Sequence, residues 1–202
     1  MESSGVVEQD QEALLLWNNA VGFVGSGKLD TASEIFLQLA QANYKGAAFA
    51  IGRILAEDNT HHANLEKAIG WFRKAVNDEN DVRAMVALAR IYLAKGGKNN
   101  TELALNFLEQ ATKFDDVVAL SILGEVYERG YIGQADAETA KLYYLRAAKL
   151  GAVFAMVRLA NLSYGQKNFV KCLYWRIKAI CSAFKIALID REDKRLWRIN
   201  GV

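Results

Sequence analysis

The 202-residue chain is 52% hydrophobic and 24% charged, and it contains no proline, where usage of about 5% would supply roughly ten. That composition excludes proline-rich linkers and an intrinsically disordered chain, and it favours helices around one sizeable core. Twenty-five Lys and Arg against 23 Asp and Glu leave a net charge of +2, too close to neutral to make nucleic acid or an anionic membrane an obligate partner.

The first residues carry Glu2, Glu8, Asp10 and Glu12, and no lysine or arginine precedes Lys28. A secretory leader opens on basic residues, so the expected location is cytoplasmic, or periplasmic if a leader has been removed. No apolar run reaches the roughly 18 residues of a membrane span.

The first predicted helix, around ALLLWNNAVGF, runs into Gly22-Phe-Val-Gly-Ser-Gly27-Lys28. These residues fill the first seven places of the phosphate-loop pattern GxxxxGK. A true phosphate loop follows a strand and continues with Ser or Thr. Here the upstream pattern is helical and Leu29 takes the hydroxyl's place, so the segment reads as a turn, with Asp30 the expected N-cap of the next helix.

From there the chain repeats. Ala32, Ala68, Ala104 and Ala140 stand 36 residues apart, and Cys172 follows after 32. Four residues later come Phe36, Phe72, Leu108, Tyr144 and Arg176. Seven later come Leu39, Ala75, Ala111, Ala147 and Ala179. Positions i, i+4 and i+7 form one helical stripe, in which a small residue admits a neighbouring backbone and a large one fills the groove beside it. A second column precedes each: Ala20, Gly52, Ala89, Gly124 and Ala160, followed three residues on by Phe23, Leu55, Tyr92, Tyr127 and Ser163. Turn residues separate the columns: Gly25, Gly27 and Asp30; Asp58 and Asn59; Gly96, Gly97, Asn99 and Asn100; Gly130, Gly133 and Asp136; Gly165 and Asn168. The reading is an all-α single domain of five helix–turn–helix repeats, near 12–45, 46–81, 82–116, 117–151 and 152–180, with a C-terminal cap at 181–202.

Other signals are weighed against that repeat. His61 and His62 are the only histidines and sit next to each other in a turn, without the i, i+4 spacing that gathers a metal. Glu125 and Glu128 lie near Arg129 but have no second carboxylate pair to form an acid–base centre. Cys172 and Cys181 are nine apart on one helix, beyond the roughly 7 Å between Cα atoms that a disulfide allows. Both are expected to be buried. No catalytic residue, metal or cofactor is expected. Trp71, Phe107, Tyr143, Tyr174 and Trp175 recur with the repeat and are expected in the core. In the cap, Ile180, Phe184 and Leu188 form an i, i+4, i+8 stripe that should close the open end, anchored by Trp197 beyond the charged run 190–195. The rival reading of this C-terminal helix is self-association.

Copy four, Ala119 to Gly151, resembles a Sel-one-like repeat, the branch of the tetratricopeptide superfamily with a lengthened turn. The resemblance rests on Leu123-Gly124, Tyr127, Gly130, Ala140, Tyr143-Tyr144, Ala147-Ala148 and Gly151. Copies two and three match more loosely. The first has a shorter turn, and the fifth departs most, with Ser163 and Arg176 where large apolar residues are usual. The resemblance implies a right-handed α/α superhelical solenoid, with the first helices on a concave face that grips a partner's peptide or helix. Positions flanking the small column of those helices are the candidate partner-binding residues: Trp17, Phe49, Arg53, Arg90, Ser121, Glu125 and Asn161. Arg53 and Arg90 suit an acidic group, unless neighbours such as Glu57 neutralise them. The expected function is therefore that of a non-enzymatic adaptor for a protein or peptide. The alternative is an immunity or inhibitor protein that occludes one toxin or enzyme.

Overall fold

The computed structural model describes the backbone of residues 2–57 and 62–189, and the side chains of 11–57 and 64–188. His61, Asp58, Asn59, Trp197 and the charged run 190–195 lie outside the described residues. Ten helices account for most of the rest: α1 (Glu2–Gly25), α2 (Leu29–Gln41), α3 (Ala47–Glu57), α4 (His62–Glu79), α5 (Val82–Lys95), α6 (Lys98–Thr112), α7 (Val117–Arg129), α8 (Ala137–Lys149), α9 (Val153–Gly165) and α10 (Phe169–Ile189). Taken in pairs, they follow the five repeats read from the sequence. The chain divides into two compact units, 1–88 and 89–202.

In the first unit, Ala20, Ala32, Phe36, Leu39, Ala47, Ile51 and Ile54 form a core with Trp17 and Trp71 packed against it. Two repeat columns interlock here: a Cβ built on Gly52 would stand 2.8 Å from the ring of Phe72. The small residue of the first helix is thus the seat of the large residue of the second. Asp81 begins α5, and its carboxylate accepts from the backbone N–H of Arg83 at 2.8 Å and of Ala84 at 3.3 Å. It also accepts from the Arg83 side chain. Burial alone would raise the Asp81 pKa; the Arg83 bonds and charge and the two N–H groups outweigh it, and the net shift is downward. The Arg83 guanidinium in turn covers the Phe49 ring, 4.4 Å from its centre.

The second unit repeats the device. A Cβ on Gly124 would meet the Tyr144 ring at 2.5 Å. That ring is fully buried, and its hydroxyl donates to Glu128 Oε2 at 2.7 Å. Arg158 Nε donates to the same oxygen at 3.0 Å, so one carboxylate ties α7, α8 and α9 together. Burial, then the Glu128 bond, pushes the Tyr144 hydroxyl pKa upward. Around it lie Leu120, Ala140, Ala147, Val153, Met156 and Leu159. Tyr92 stacks on Phe107 with centroids 6.1 Å apart, and Tyr127 on Tyr143 at 5.5 Å.

Turns and links are set by caps. Asp116 and Asp136 each accept two N–H groups at the starts of α7 and α8, and Gly130 ends α7 at φ 68°. A Cβ on Gly130 would lie 2.7 Å from the Gly133 carbonyl oxygen, which excludes other residues there. Links after the second helices use another left-handed series, Asn43, Asn80, Asp115 and Gly151. Asn and Asp tolerate that conformation through local hydrogen bonding, so the period of the links escapes a search for glycine.

Several expectations are corrected. The N-cap of α2 is Lys28, whose side chain makes no cap bond, and Asp30 lies in the first turn. There it still faces the helix's positive end. Cys181 is exposed while Cys172 is buried, and both are free thiols. Tyr174 is exposed, packed edge-on against Trp175. The stripe Ile180, Phe184 and Leu188 faces outward, and α10 instead buries Ala179 and Ile186. The two stripes lie about 100° or more apart around the helix, and the denser aliphatic row is not the one facing the core. α10 also runs unbroken across the boundary assigned between repeat and cap.

Two glycine substitutions separate seat from surface. Gly124→Ala is expected to cost about 1–3 kcal/mol, because the tethered Tyr144 ring cannot withdraw. Gly70→Ala, in α4 with nothing within 4 Å of its Cβ, is expected to gain about 0.5–1 kcal/mol. Urea unfolding of both variants measures the contrast. Asp81→Asn is expected to lose about 1 kcal/mol at neutral pH, because the neutral amide gives up the charge-assisted bonds from Arg83. Because the folded Asp81 pKa is depressed, its contribution is present above the ordinary carboxylate value and is lost as pH falls through that range. The melting temperature of the Asn variant should therefore fall less than wild type between pH 6 and pH 3, roughly the carboxylate range.

Candidate functional site

The first helices were expected to carry the partner-binding side chains, and within the second unit two of these meet. Arg90 on α5 and Glu125 on α7 line one cleft of about 240 Å³ with Leu93, Ala94, Ile122, Val126 and Tyr131. Its size falls below the roughly 300 Å³ at which small-molecule pockets begin, and suits one or two side chains of a peptide. Chemically it is an apolar floor with an acid and a base at its edge. Glu125 is largely buried and bridges Arg129 at 2.7 Å. The Tyr131 hydroxyl accepts from Arg129 Nη1 at 3.2 Å. This hydroxyl, then the Glu125 charge, shifts the Arg129 pKa upward.

Tyr131 was missed in the sequence. It belongs to the long turn between α7 and α8 and to no repeat column, yet its ring is exposed at the mouth of the cleft. The signal available was an aromatic between Gly130 and Gly133, in a turn where polar residues are usual. Glu125 and Glu128, three residues apart, serve different ends: Glu125 faces the cleft, and Glu128 holds the Tyr144 and Arg158 side chains.

The other candidates separate. Ser121 is buried and its hydroxyl donates to the Val117 carbonyl at 2.6 Å, so it presents no donor to an incoming group. Asn161 is exposed on α9. In the first unit, Arg53 is exposed and lies 3.6 Å from Glu57, one turn on along α3. That surface pair offers little net energy and leaves the guanidinium able to exchange partners. Trp17 is half-buried, edge-on to Phe36 at 5.1 Å and tilted against Tyr44 at 5.6 Å. Phe49 packs on Phe72 at 5.7 Å beneath Arg83. Both aromatics are therefore partly spent on the core, offering an edge rather than a face.

The segment Gly22–Lys28 leaves a helix, α1, and turns into another; the strand a phosphate loop requires does not precede it. Among the described residues no helix is long and apolar enough to cross a membrane.

The Sel1 repeat matches residues 47–80, 82–113, 117–151 and 153–182, which are hairpins two to five and more than half of the chain. An uncharacterised protein of Neisseria meningitidis serogroup B is 38% identical over 97 residues, covering 48% of this chain and 21% of that protein. The chain spans no more than about a quarter of the length of the curated relatives it matches. The crystal structure of a Sel1 repeat protein from Oxalobacter formigenes superposes with a TM-score of 0.62 at 23% identity, over 75% of this chain and 64% of the other. A protective antigen of uropathogenic Escherichia coli strains with an SLR fold gives 0.66 at 18% identity, over 86% and 42%. Those two structures share the fold. The chain belongs to the Sel1 repeat family, whose members generally mediate protein–protein interaction on a scaffold that is typically non-catalytic.

Proposed function

We propose that this chain is a non-enzymatic adaptor that holds a protein or peptide partner against its first helices, the elements that line the concave side in the resembled solenoids. The observation that carries the reading is the cleft between α5 and α7, where Arg90 and Glu125 flank Leu93, Ile122, Val126 and Tyr131. An apolar floor with one charge of each sign matches a peptide that inserts an aliphatic side chain and aligns its own charges beside it. Asn161 is an exposed side chain of a first helix in the same unit, and in the first unit Arg53 is exposed and Trp17 and Phe49 present aromatic edges. Arginines and aromatics are the residues that most often dominate binding energy at such surfaces.

The test begins with affinity capture from the native source and identification of the partner by mass spectrometry, followed by titration against the purified chain. Charge reversal of Arg90 is expected to weaken partner binding at least tenfold, with the far-ultraviolet circular dichroism spectrum unchanged. Unchanged affinity in the folded variant rejects this cleft. Capture of one enzyme or toxin, inhibited at one-to-one stoichiometry, makes the chain an inhibitor rather than an adaptor.

A further inference from the structure

Two columns of the repeat are buried wherever another hairpin lies beside them, and each has one member that is not. Five residues before the small column of the first helices stand Ala47, Ala84, Ala119 and Ala155, all 0% exposed; the corresponding residue of α1, Leu15, is 62% exposed. Eight residues after the small column of the second helices stand Ala40, Val76, Thr112 and Ala148, between 2% and 9% exposed; the corresponding residue of α10, Ile180, is 69% exposed.

The covering hairpin is visible in both units. Ala40 shares a core with Ala47 and Ile51 of α3, and Ala148 shares one with Ala155 and Met156 of α9. Beside Ala155, Phe154 packs on the Tyr144 ring of α8, 6.4 Å between centroids. The counterpart of Phe154 in α1 is Leu14, half exposed. On α10 the open face continues through Leu173, Ile177 and Phe184, each more than half exposed. A contiguous patch of that kind is what a soluble monomer rarely shows and an interface does.

Charge selects the occupant. α10 holds Lys171, Arg176, Lys178 and Lys185 and no acidic residue, while α1 holds Glu2, Glu8, Asp10 and Glu12 and no basic one. Two copies of α10 face to face would bring eight cations together. α10 against α1 of another copy instead sets those cations beside a helix whose sequence carries only acids, Glu12 among the described side chains.

We propose that the chain self-associates head to tail, the α1 face of one copy packing on the α10 face of the next in continuation of the α2–α3 and α8–α9 junctions. Leu15 and Ile180 replace the smaller residues of the internal junctions, so the helices stand further apart here and the contact is reversible. The interface is heterologous, with different patches on the two partners, so after one contact each copy keeps a patch that can take a further copy. It engages neither Arg53 nor the α5–α7 cleft, and is independent of the partner-binding reading.

Sedimentation velocity of the purified chain over a micromolar-to-millimolar series tests this. The expected result is a mass that rises with concentration beyond a dimer and falls as salt is raised. Leu15→Glu and Ile180→Glu, each retaining one intact end, should each shift association to at least tenfold higher concentration. An equimolar mixture of the two should form a dimer and nothing larger, a recovery that misfolded variants could not show. A monomer at every concentration overturns the proposal. So does a dimer that survives Leu15→Glu, which would pair α10 with α10, and so does binding of Ile180-dependent monomers to anionic vesicles.

Discussion

The fold rests on one contact that recurs along the repeats: a large side chain of the second helix seated on a small residue of the first. Phe72 on Gly52 and Tyr144 on Gly124 show it most closely, since a single added carbon would collide with either ring. The fit fixes how near the two helices approach and leaves each hairpin with a second apolar face still uncovered. A hairpin alone cannot bury both faces, so stability is shared with whatever lies beside it. The resulting core is made of alanines and aromatics rather than of leucine alone.

Polar groups inside this packing are placed where helices meet. Glu128 receives the Tyr144 hydroxyl and the Arg158 guanidinium, and Asp81 receives two backbone N–H groups and Arg83. Each carboxylate is satisfied by a cation and by neutral donors, the condition under which a buried charge is tolerated. Their work is structural: they hold neighbouring helices together where those helices meet. The same logic separates Ser121, turned back onto its own helix, from Glu125, which stands at the edge of a cleft.

A repeat protein must also resolve its edges. Interior copies use alanine, valine or threonine at the two covered columns, whereas α1 and α10 carry Leu15 and Ile180 there, with opposite charge around them. Bulky apolar groups held in water at these two places are costly unless something covers them. The fifth hairpin reflects this: Arg176 takes the column of the buried rings, and Ser163 satisfies its own hydroxyl on the Leu159 carbonyl.

The period of 36 by itself determined the helix pairs, their order, the seats at Gly52 and Gly124 and the turns that hold Asp136 and Gly130, because these depend on residues within one hairpin. It also placed Arg90 and Glu125 on equivalent positions of first helices. Tertiary structure decided the rest. Which stripe of α10 is buried depends on where α9 lies, and the sequence offers two apolar rows; the longer one, through Ile180 and Phe184, proved to be the outer. Tyr131 joined the cleft because its turn folds back over α7, a geometry no column records. The links at Asn43, Asn80 and Asp115 were hidden because left-handed backbone there is carried by side chains that also serve in ordinary turns. Periodicity encodes what a helix could bury, and only its neighbours settle what it does bury.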